Sequence, residues 1–379
     1  MKFLLAAGGS AGHINPAIAI ADALRRALPG CGIIFVGAGR KAENKLVPEA
    51  GYELENIEMR GLKRGLSPKN LGYNARAAAM LLTASRRAER LITSYAPDAA
   101  VGTGGYICYP VLKAAAKAGI PTALHESNSE PGLTARLLSA VVTRVYTAFP
   151  KSAEQYRQAG YKDPARVSAL GTPVRESFLE YTRESARDEL GFRADETVVV
   201  SFWGSLGASG MNERMKGFIA RNIRELEAGR GFRHIHAAGS EQAAAVLKKA
   251  VPPDGKPPDF IDIRAYIDDM PRVMASADLV LCRAGGSTLA ELSALGRAAA
   301  LVPSPYVAND EQTQNALAMS ENGGAVMLRE PESTGDTLFE TVAELLRDKT
   351  KLKEMEEHQK QLGSPTAAGR LAEEMIALI

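Results

Sequence analysis

Only three cysteines, Cys31, Cys108 and Cys282, occur in the 379 residues, and no two form a Cys-x-x-Cys pair. That spacing argues against a disulfide framework and against a thiolate zinc site, and a reducing cytosol is the expected compartment. No run reaches the roughly 18–20 apolar residues that a membrane-spanning helix needs. The opening MKFLLAAGG breaks at glycine too early for a secretory signal core. Any contact with a membrane is therefore expected to be peripheral. Net charge is small as well, +2 from 46 Lys and Arg against 44 Asp and Glu, which lends nucleic-acid binding no support. The five histidines do not pair at metal-ligand spacing, and no metal site is expected.

What is present is an alternation of short apolar runs with helical patterns. The runs KFLLAAG, GIIFVGA, DAAVGTG, PTALHES and TRVYTAF read as strands of a first half, and TVVVSFWG, RHIHAAG, FIDIRAYI, DLVLCRAG and AAALVPSP as strands of a second. Most are continuously apolar, as strands covered on both faces must be. Strands alternating with helices predict an α/β fold of parallel sheets. The length exceeds what one core usually holds, so two doubly wound domains facing a cleft are expected. Their bounds are read as 1–172 and 173–363, with a linker in GTPVRES from Gly171. Beyond the break at Gly363 and Pro365, residues 364–379 form an amphipathic helix with Leu371, Met375 and Leu378 on one face. It could pack on either half, a return to the first included.

The two halves open alike, KFLLAAGGSAGH and VVVSFWGSLGAS each being a strand, a turn of small residues and a helix. The first turn is not a dinucleotide fingerprint, because Gly8, Gly9 and Gly12 miss the required spacing. A Walker loop is excluded by the lack of Gly-Lys-Ser/Thr. Two readings stand: an anion site at a helix N-terminus, with Pro16 in the first helical turn, or a tight connection with no ligand. The same device recurs in LCRAGGSTLAELSALG, with the helix expected to begin near Thr288. Thr288 and Glu291 then form either a capping box or part of a nucleotide site. In that site the turn holds a diphosphate and the Glu291 carboxylate accepts from two ribose hydroxyls. The following VPSPYVANDEQTQNA crowds Asn309, Asp310, Glu311, Gln312, Gln314 and Asn315 beside a strand end, as a sugar site or as a solvated helix start.

Taken in order, GGSAGHINPAIAIADAL, GTGGYICYPVLKAAAKAGIPTALHESNSEPGLTARLL, GTPVRESF, GSLGASGMN and CRAGGSTLAELSALGRAAALVPSPYVANDEQTQNA resemble the MurG family over nearly the whole chain. These are UDP-N-acetylglucosamine:undecaprenyl-pyrophosphoryl-muramoylpentapeptide N-acetylglucosaminyltransferases of bacterial cell-wall synthesis. The resemblance implies a GT-B architecture of two Rossmann-like domains, with UDP-GlcNAc and lipid I as substrates and no cofactor. It also implies a peripheral place on the inner face of the plasma membrane, and leaves room for cell-wall synthesis proteins as partners. By position, Ser10, Ala11, Gly12 and His13 match the first glycine loop, and Tyr106 the tyrosine after the second glycine run. Asn128 matches a donor-sugar contact, Arg175 and Ser205 donor-phosphate contacts, and Ile267 the residue whose backbone reads uracil. Gly286, Ser287 and Thr288 match the diphosphate turn, Glu291 the ribose carboxylate, and Gln312 and Asn315 sugar-binding amides. Ala11, Thr172, Trp203 and Glu311 depart from the common pattern.

The implied reaction is an inverting attack of the muramoyl 4-hydroxyl of lipid I on the anomeric carbon of UDP-GlcNAc. No two aspartates are separated by one residue, so the Asp-x-Asp metal clamp of many glycosyltransferases is absent. Helix tips and Arg175 are expected to carry the leaving charge. His13 is the expected general base, with His125 and Glu126 as alternatives, while His234, His236 and His358 are expected to be structural or solvated. Eight Lys or Arg and one acid, Glu89, lie from Arg60 to Arg90, interspersed with Leu66, Leu71, Tyr73, Met80, Leu81 and Leu82. This segment is either an anionic-membrane contact or a helix with its apolar face in the core. Rival activities are a UDP-GlcNAc 2-epimerase and another GT-B transferase on a glycolipid or natural product. A lipid-presenting scaffold is the rival that is not an enzyme.

Overall fold

The computed structural model describes residues 1–61, 67–158, 164–204, 207–250, 258–307 and 310–379. The chain divides into two units, Met1–Arg175 with Ser364–Ile379, and Glu176–Gly363. The first contains β1 (Lys2–Ala7), α1 (Ala11–Ala27), β2 (Gly32–Gly37), α2 (Lys41–Glu49), β3 (Glu53–Asn56), α3 (Pro68–Tyr95) and β4 (Ala99–Gly104). It continues with α4 (Cys108–Lys117), β5 (Thr122–Glu126), α5 (Leu133–Ser139), β6 (Arg144–Thr147), α6 (Pro150–Gln158) and β7 (Val167–Ala169). The second contains α7 (Arg183–Leu190), β8 (Val198–Phe202), α8 (Ser209–Glu227), β9 (Arg233–Ala237), α9 (Glu241–Ala250), β10 (Ile261–Arg264) and α10 (Met270–Ser276). Then follow β11 (Leu279–Cys282), α11 (Gly286–Leu295), β12 (Ala299–Leu301), α12 (Glu311–Glu321), β13 (Ala325–Met327), α13 (Gly335–Arg347) and α14 (Lys349–Leu362). The last helix, α15 (Ala367–Ala377), belongs to the first unit.

Each unit is built on one parallel sheet, of order β3-β2-β1-β4-β5-β6-β7 in the first and β10-β9-β8-β11-β12-β13 in the second. In both, the order reverses beside the opening strand, between β1 and β4 and between β8 and β11. That reversal parts the turns at the carboxyl ends of the two strands, which is where open α/β sheets take ligands. The expected α/β class with two Rossmann-like sheets of the GT-B kind is the fold observed. β3, β7 and β13, which the apolar pattern does not mark, are all edge strands. An edge strand is covered less completely and needs less apolar sequence: β3 is Glu-Leu-Glu-Asn and largely exposed.

Burial on both faces explains the apolar runs. Phe3, Leu5 and Ala7 of β1 pack in the layer of α1 and α15, while Leu4 and Ala6 pack with α3, α4, α5 and α6. The helix α15 buries Leu371 and Met375 in the first of these layers. Its approach is tied by Ser364, whose Oγ donates to the Leu170 carbonyl at 2.6 Å. In the second unit Val199, Leu279 and Leu281 pack with Met211, Met215 and Phe218 of α8.

Candidate functional site

In the first unit the turns after β1 and β4 meet. The N–H of Gly8 donates to the Gly104 carbonyl at 3.3 Å. Gly104 and Gly105 both have positive φ, 130° and 87°, and both are needed for space: a Cβ on Gly105 would strike the Gly8 carbonyl, and one on Gly104 the ring of His13. Helix α1 starts at Ala11 with Ser10 at its N-cap, so Ser10, Ala11, Gly12 and His13 form its first turn. Pro16, expected in that turn, is the sixth helical residue. The helix begins earlier because the extended backbone of Ser10 lets its carbonyl accept from the N–H groups of His13 and Ile14, at 3.0 and 3.2 Å.

His13 is held at two points by Thr103. The hydroxyl of Thr103 donates to the His13 carbonyl at 2.7 Å. Burial lowers the pKa of the His13 ring below 6.5, opposed in part by a hydrogen bond to the Thr103 backbone. The result is a neutral imidazole at physiological pH, the protonation state a general base requires. Of the alternatives, His125 is fully buried. Its Nε2 donates to the Gly171 carbonyl at 3.0 Å, leaving Nδ1 to accept from Ser127 at 3.3 Å, and burial lowers its pKa to about 4. The Glu126 carboxylate accepts from the N–H groups of Asn128 and Gly132, both at 3.0 Å, and from the Asn128 side chain at 3.2 Å. Both groups therefore brace loops, His125 the start of the linker and Glu126 the turn that carries Asn128. Tyr106 is 52% exposed, with its ring against Gly61. Arg175 ends the first stretch of this unit and lies near Asp22, whose carboxyl burial raises, Arg175 being one of the groups that oppose the rise.

Sequence reasoning does not single out Glu43. It is completely buried; its Oε1 accepts from the N–H groups of Ala38 and Arg40 at 2.9 and 3.0 Å, and its Oε2 from Gly9 at 3.2 Å. The only local signal is its place three residues after Arg40, which makes it the N3 residue of a capping box on α2.

In the second unit the decisive turn follows β11. Helix α11 begins at Gly286 with Gly285 as N-cap and no side-chain cap, two residues before the expected start at Thr288. The capping-box reading is thereby excluded: Thr288 is the third helical residue and Glu291 lies one turn further on. Gly286, Ser287 and Thr288 form the first turn of the helix, and the glycine at its N-cap offers no capping side chain. Glu291 sits near the end of β11, close enough to contribute to raising the Cys282 thiol, which burial pushes far above its usual range.

The polar cluster beyond β12 divides into several roles. Asn315 is completely buried, and its side chain donates to the Ala284 carbonyl at 3.1 Å, which braces the turn before α11. Gln312 is half-buried, with Oε1 accepting from the Ser304 N–H at 2.9 Å. Asn309 and Ser205 lie outside the described residues. Ile267, in the loop after β10, has a buried side chain. His234 and His236 are buried around Ser201, whose Oγ is 2.7 Å from His234 Nε2 and from His236 Nδ1. His358 is exposed. Among the described residues no three His, Cys, Asp or Glu side chains are grouped to hold a metal ion.

Residues 3–147 match the glycosyltransferase family 28 N-terminal domain and residues 198–371 its C-terminal domain. The chain is 41% identical over 373 residues to a UDP-N-acetylglucosamine--N-acetylmuramyl-(pentapeptide) pyrophosphoryl-undecaprenol N-acetylglucosamine transferase of Acetivibrio thermocellus, covering 98% of this chain and 97% of that one. The chain belongs to the MurG family of glycosyltransferases. The crystal structure of Acinetobacter baumannii MurG superposes with a TM-score of 0.73 at 26% identity, covering 99% of each chain. A UDP-GlcNAc 2-epimerase of Neisseria meningitidis superposes at 0.67 over the full length of both chains, but at 12% identity, a likeness of fold alone.

The four departures from the usual MurG pattern have structural places. Ala11 is the first residue of α1, and Thr172 is buried beside the linker glycine. Trp203 is buried with the Arg283 guanidinium over its ring at 5.8 Å. Arg283 in turn pairs with buried Glu330 at 2.7 Å and donates to the Val302 carbonyl at 3.0 Å. The indole thus packs on a compensated charge beneath the turn it precedes. Glu311 opens α12, where burial raises its carboxyl.

Proposed function

We propose that the chain transfers GlcNAc with inversion from UDP-GlcNAc to the 4-hydroxyl of the muramoyl-pentapeptide of lipid I, giving lipid II and UDP. The full-length match at 41% identity to a transferase of this name carries the reading. The epimerase likeness stops at the fold.

In this reading the donor diphosphate lies at the tip of α11, on the N–H groups of Gly286, Ser287 and Thr288. These aim fixed partial positive charge at the oxygens that gain negative charge as UDP departs. Glu291, one turn along, accepts from the ribose hydroxyls. Ile267 serves uracil, Arg175 and Ser205 the phosphates, and Asn128 and Gln312 the sugar. Asn315 supports the site by holding the Ala284 carbonyl. Helix dipoles and Arg175 supply the charge stabilisation, and no cofactor is assigned.

His13 takes the proton from the incoming hydroxyl. Its half-buried ring, with a lowered pKa, at the β1–β4 reversal supports that role, and its neighbours Ser10, Ala11, Gly12 and Tyr106 surround the same turn. No helix among the described residues is long and apolar enough to cross a membrane, so a lipid acceptor must be met at the surface. Helix α3 supports this: Ala77, Ala84, Ala88 and Ile92 form its core face, while Leu71 and Leu82 stay exposed beside its basic residues. Residues 62–66 of the basic segment lie outside the described residues. Exposed Leu133, Leu137 and Val141, on and just after α5, form a second apolar stripe. In this reading the chain is a peripheral enzyme of the cytoplasmic membrane face.

The test is incubation with lipid I and labelled UDP-GlcNAc. Label appearing in lipid II supports the reading. Conversion of UDP-GlcNAc without acceptor would establish the epimerase instead.

A further inference from the structure

The two glycine turns look alike in sequence, and neither α1 nor α11 carries a side-chain cap. At the first turn the Gly9 N–H is already bonded to a buried carboxylate, Glu43, brought 34 residues along the chain by α2. The same carboxylate bonds the N–H groups of Ala38 and Arg40 in the turn after β2. Its fit is close on one side: a Cβ on Gly37 would come within 2.8 Å of Glu43 Cγ.

The Gly8–Gly9 peptide is therefore clamped from both ends. Glu43 takes its N–H, and its carbonyl lies so close over Gly105 that no side chain fits there. One residue on, Ser10 begins α1, and its carbonyl accepts the N–H of His13 at 3.0 Å. Rotating the Gly8–Gly9 peptide would swing Ser10 and, with it, the helical turn that carries the imidazole.

We propose that Glu43 is a positioning residue for His13: its carboxylate locks the Gly8–Gly9 peptide, and that peptide sets the start of α1 and the approach of the imidazole to the acceptor hydroxyl. The inference rests on the reading of His13 as the general base.

The test is a double-mutant cycle on the full chain with lipid I as acceptor. Glu43→Gln keeps the size of the side chain but turns an NH2 toward one of the three N–H groups. The expected result is a fall in kcat of roughly tenfold to a hundredfold, the scale of a small misplacement of a reacting group. KM for UDP-GlcNAc should stay within about twofold, and Glu43→Gln should cost nothing more in a His13→Ala background. A wild-type kcat in Glu43→Gln, or the same loss with and without His13, overturns the proposal. Near-normal turnover in His13→Ala alone would instead remove the general-base reading and the proposal built on it. If Glu43→Gln does not fold, Gly37→Ala presses on the same side chain, its Cβ coming within 2.8 Å of Glu43 Cγ, and wild-type kcat there overturns the proposal as well.

Discussion

The imidazole of His13 occupies the space that a side chain on Gly104 would need: a Cβ there would collide with Nδ1, Cε1 and Cγ. Glycine at the end of β4 is thus part of how α1 presents its histidine, and its φ of 130° is a second reason for the residue. Gly104→Ala is expected to lower kcat at least about tenfold through displacement of the ring, with UDP-GlcNAc affinity left within about twofold. Steady-state kinetics and calorimetry check the two halves of that statement.

His13→Ala should lose most turnover while still binding UDP-GlcNAc. Because burial holds the ring below its ordinary pKa of 6.5, wild-type kcat/KM should be flat at neutral pH and fall only on the acid side of 6.5. An acid limb centred above 6.5 would assign the base elsewhere.

Glu291→Ala should weaken UDP binding itself. Hydrogen bonds to a charged acceptor contribute about 1.5–3 kcal/mol, so a loss of roughly tenfold to a hundredfold in affinity is expected. Unchanged UDP affinity by calorimetry would contradict the ribose assignment.

Three buried histidines make stability pH-dependent. His125 and His236 are lowered to about 4 and His234 well below 6.5, all chiefly by burial. Each stays neutral in the folded chain and protonates near 6.5 when unfolded. Their contribution is therefore complete above pH 6.5 and is lost as the pH falls toward 4, by about 1.4 kcal/mol per pH unit for each histidine. Denaturant midpoints between pH 7 and 5 should fall steeply, and His236→Gln should flatten the slope.

Arg86, Arg87 and Arg90 are exposed on α3, the helix proposed to meet an anionic surface. If each contributes about 1 kcal/mol at an anionic surface, replacing all three with glutamine should weaken binding to vesicles rich in anionic lipid roughly a hundredfold at low salt. Flotation measures this. Equal flotation of variant and wild type would move the contact elsewhere.

The alternation of strand and helix, the two glycine turns and the expected α/β class were legible in the sequence because each depends on neighbours only a few residues apart. A run such as TVVVSFWG declares a doubly covered strand through its composition, and Gly-Gly-Ser declares a turn through its permitted backbone. The start of α11 was misplaced by two residues because Thr288 and Glu291 satisfy a local capping pattern. The chain instead uses Gly285, which takes the extended N-cap conformation two residues earlier.

What the sequence determined by itself was periodic and local: sheet-forming runs, amphipathic helices and the positions where backbone could bend. Tertiary structure alone decided that α15 belongs with α1, that Trp203 packs on the Arg283–Glu330 pair, and that Glu43 reaches Gly9. Those outcomes depend on hydrogen bonds and burial between residues tens to hundreds of positions apart. There the cost of leaving a buried N–H or charge without a partner outweighs any preference written in the neighbouring residues.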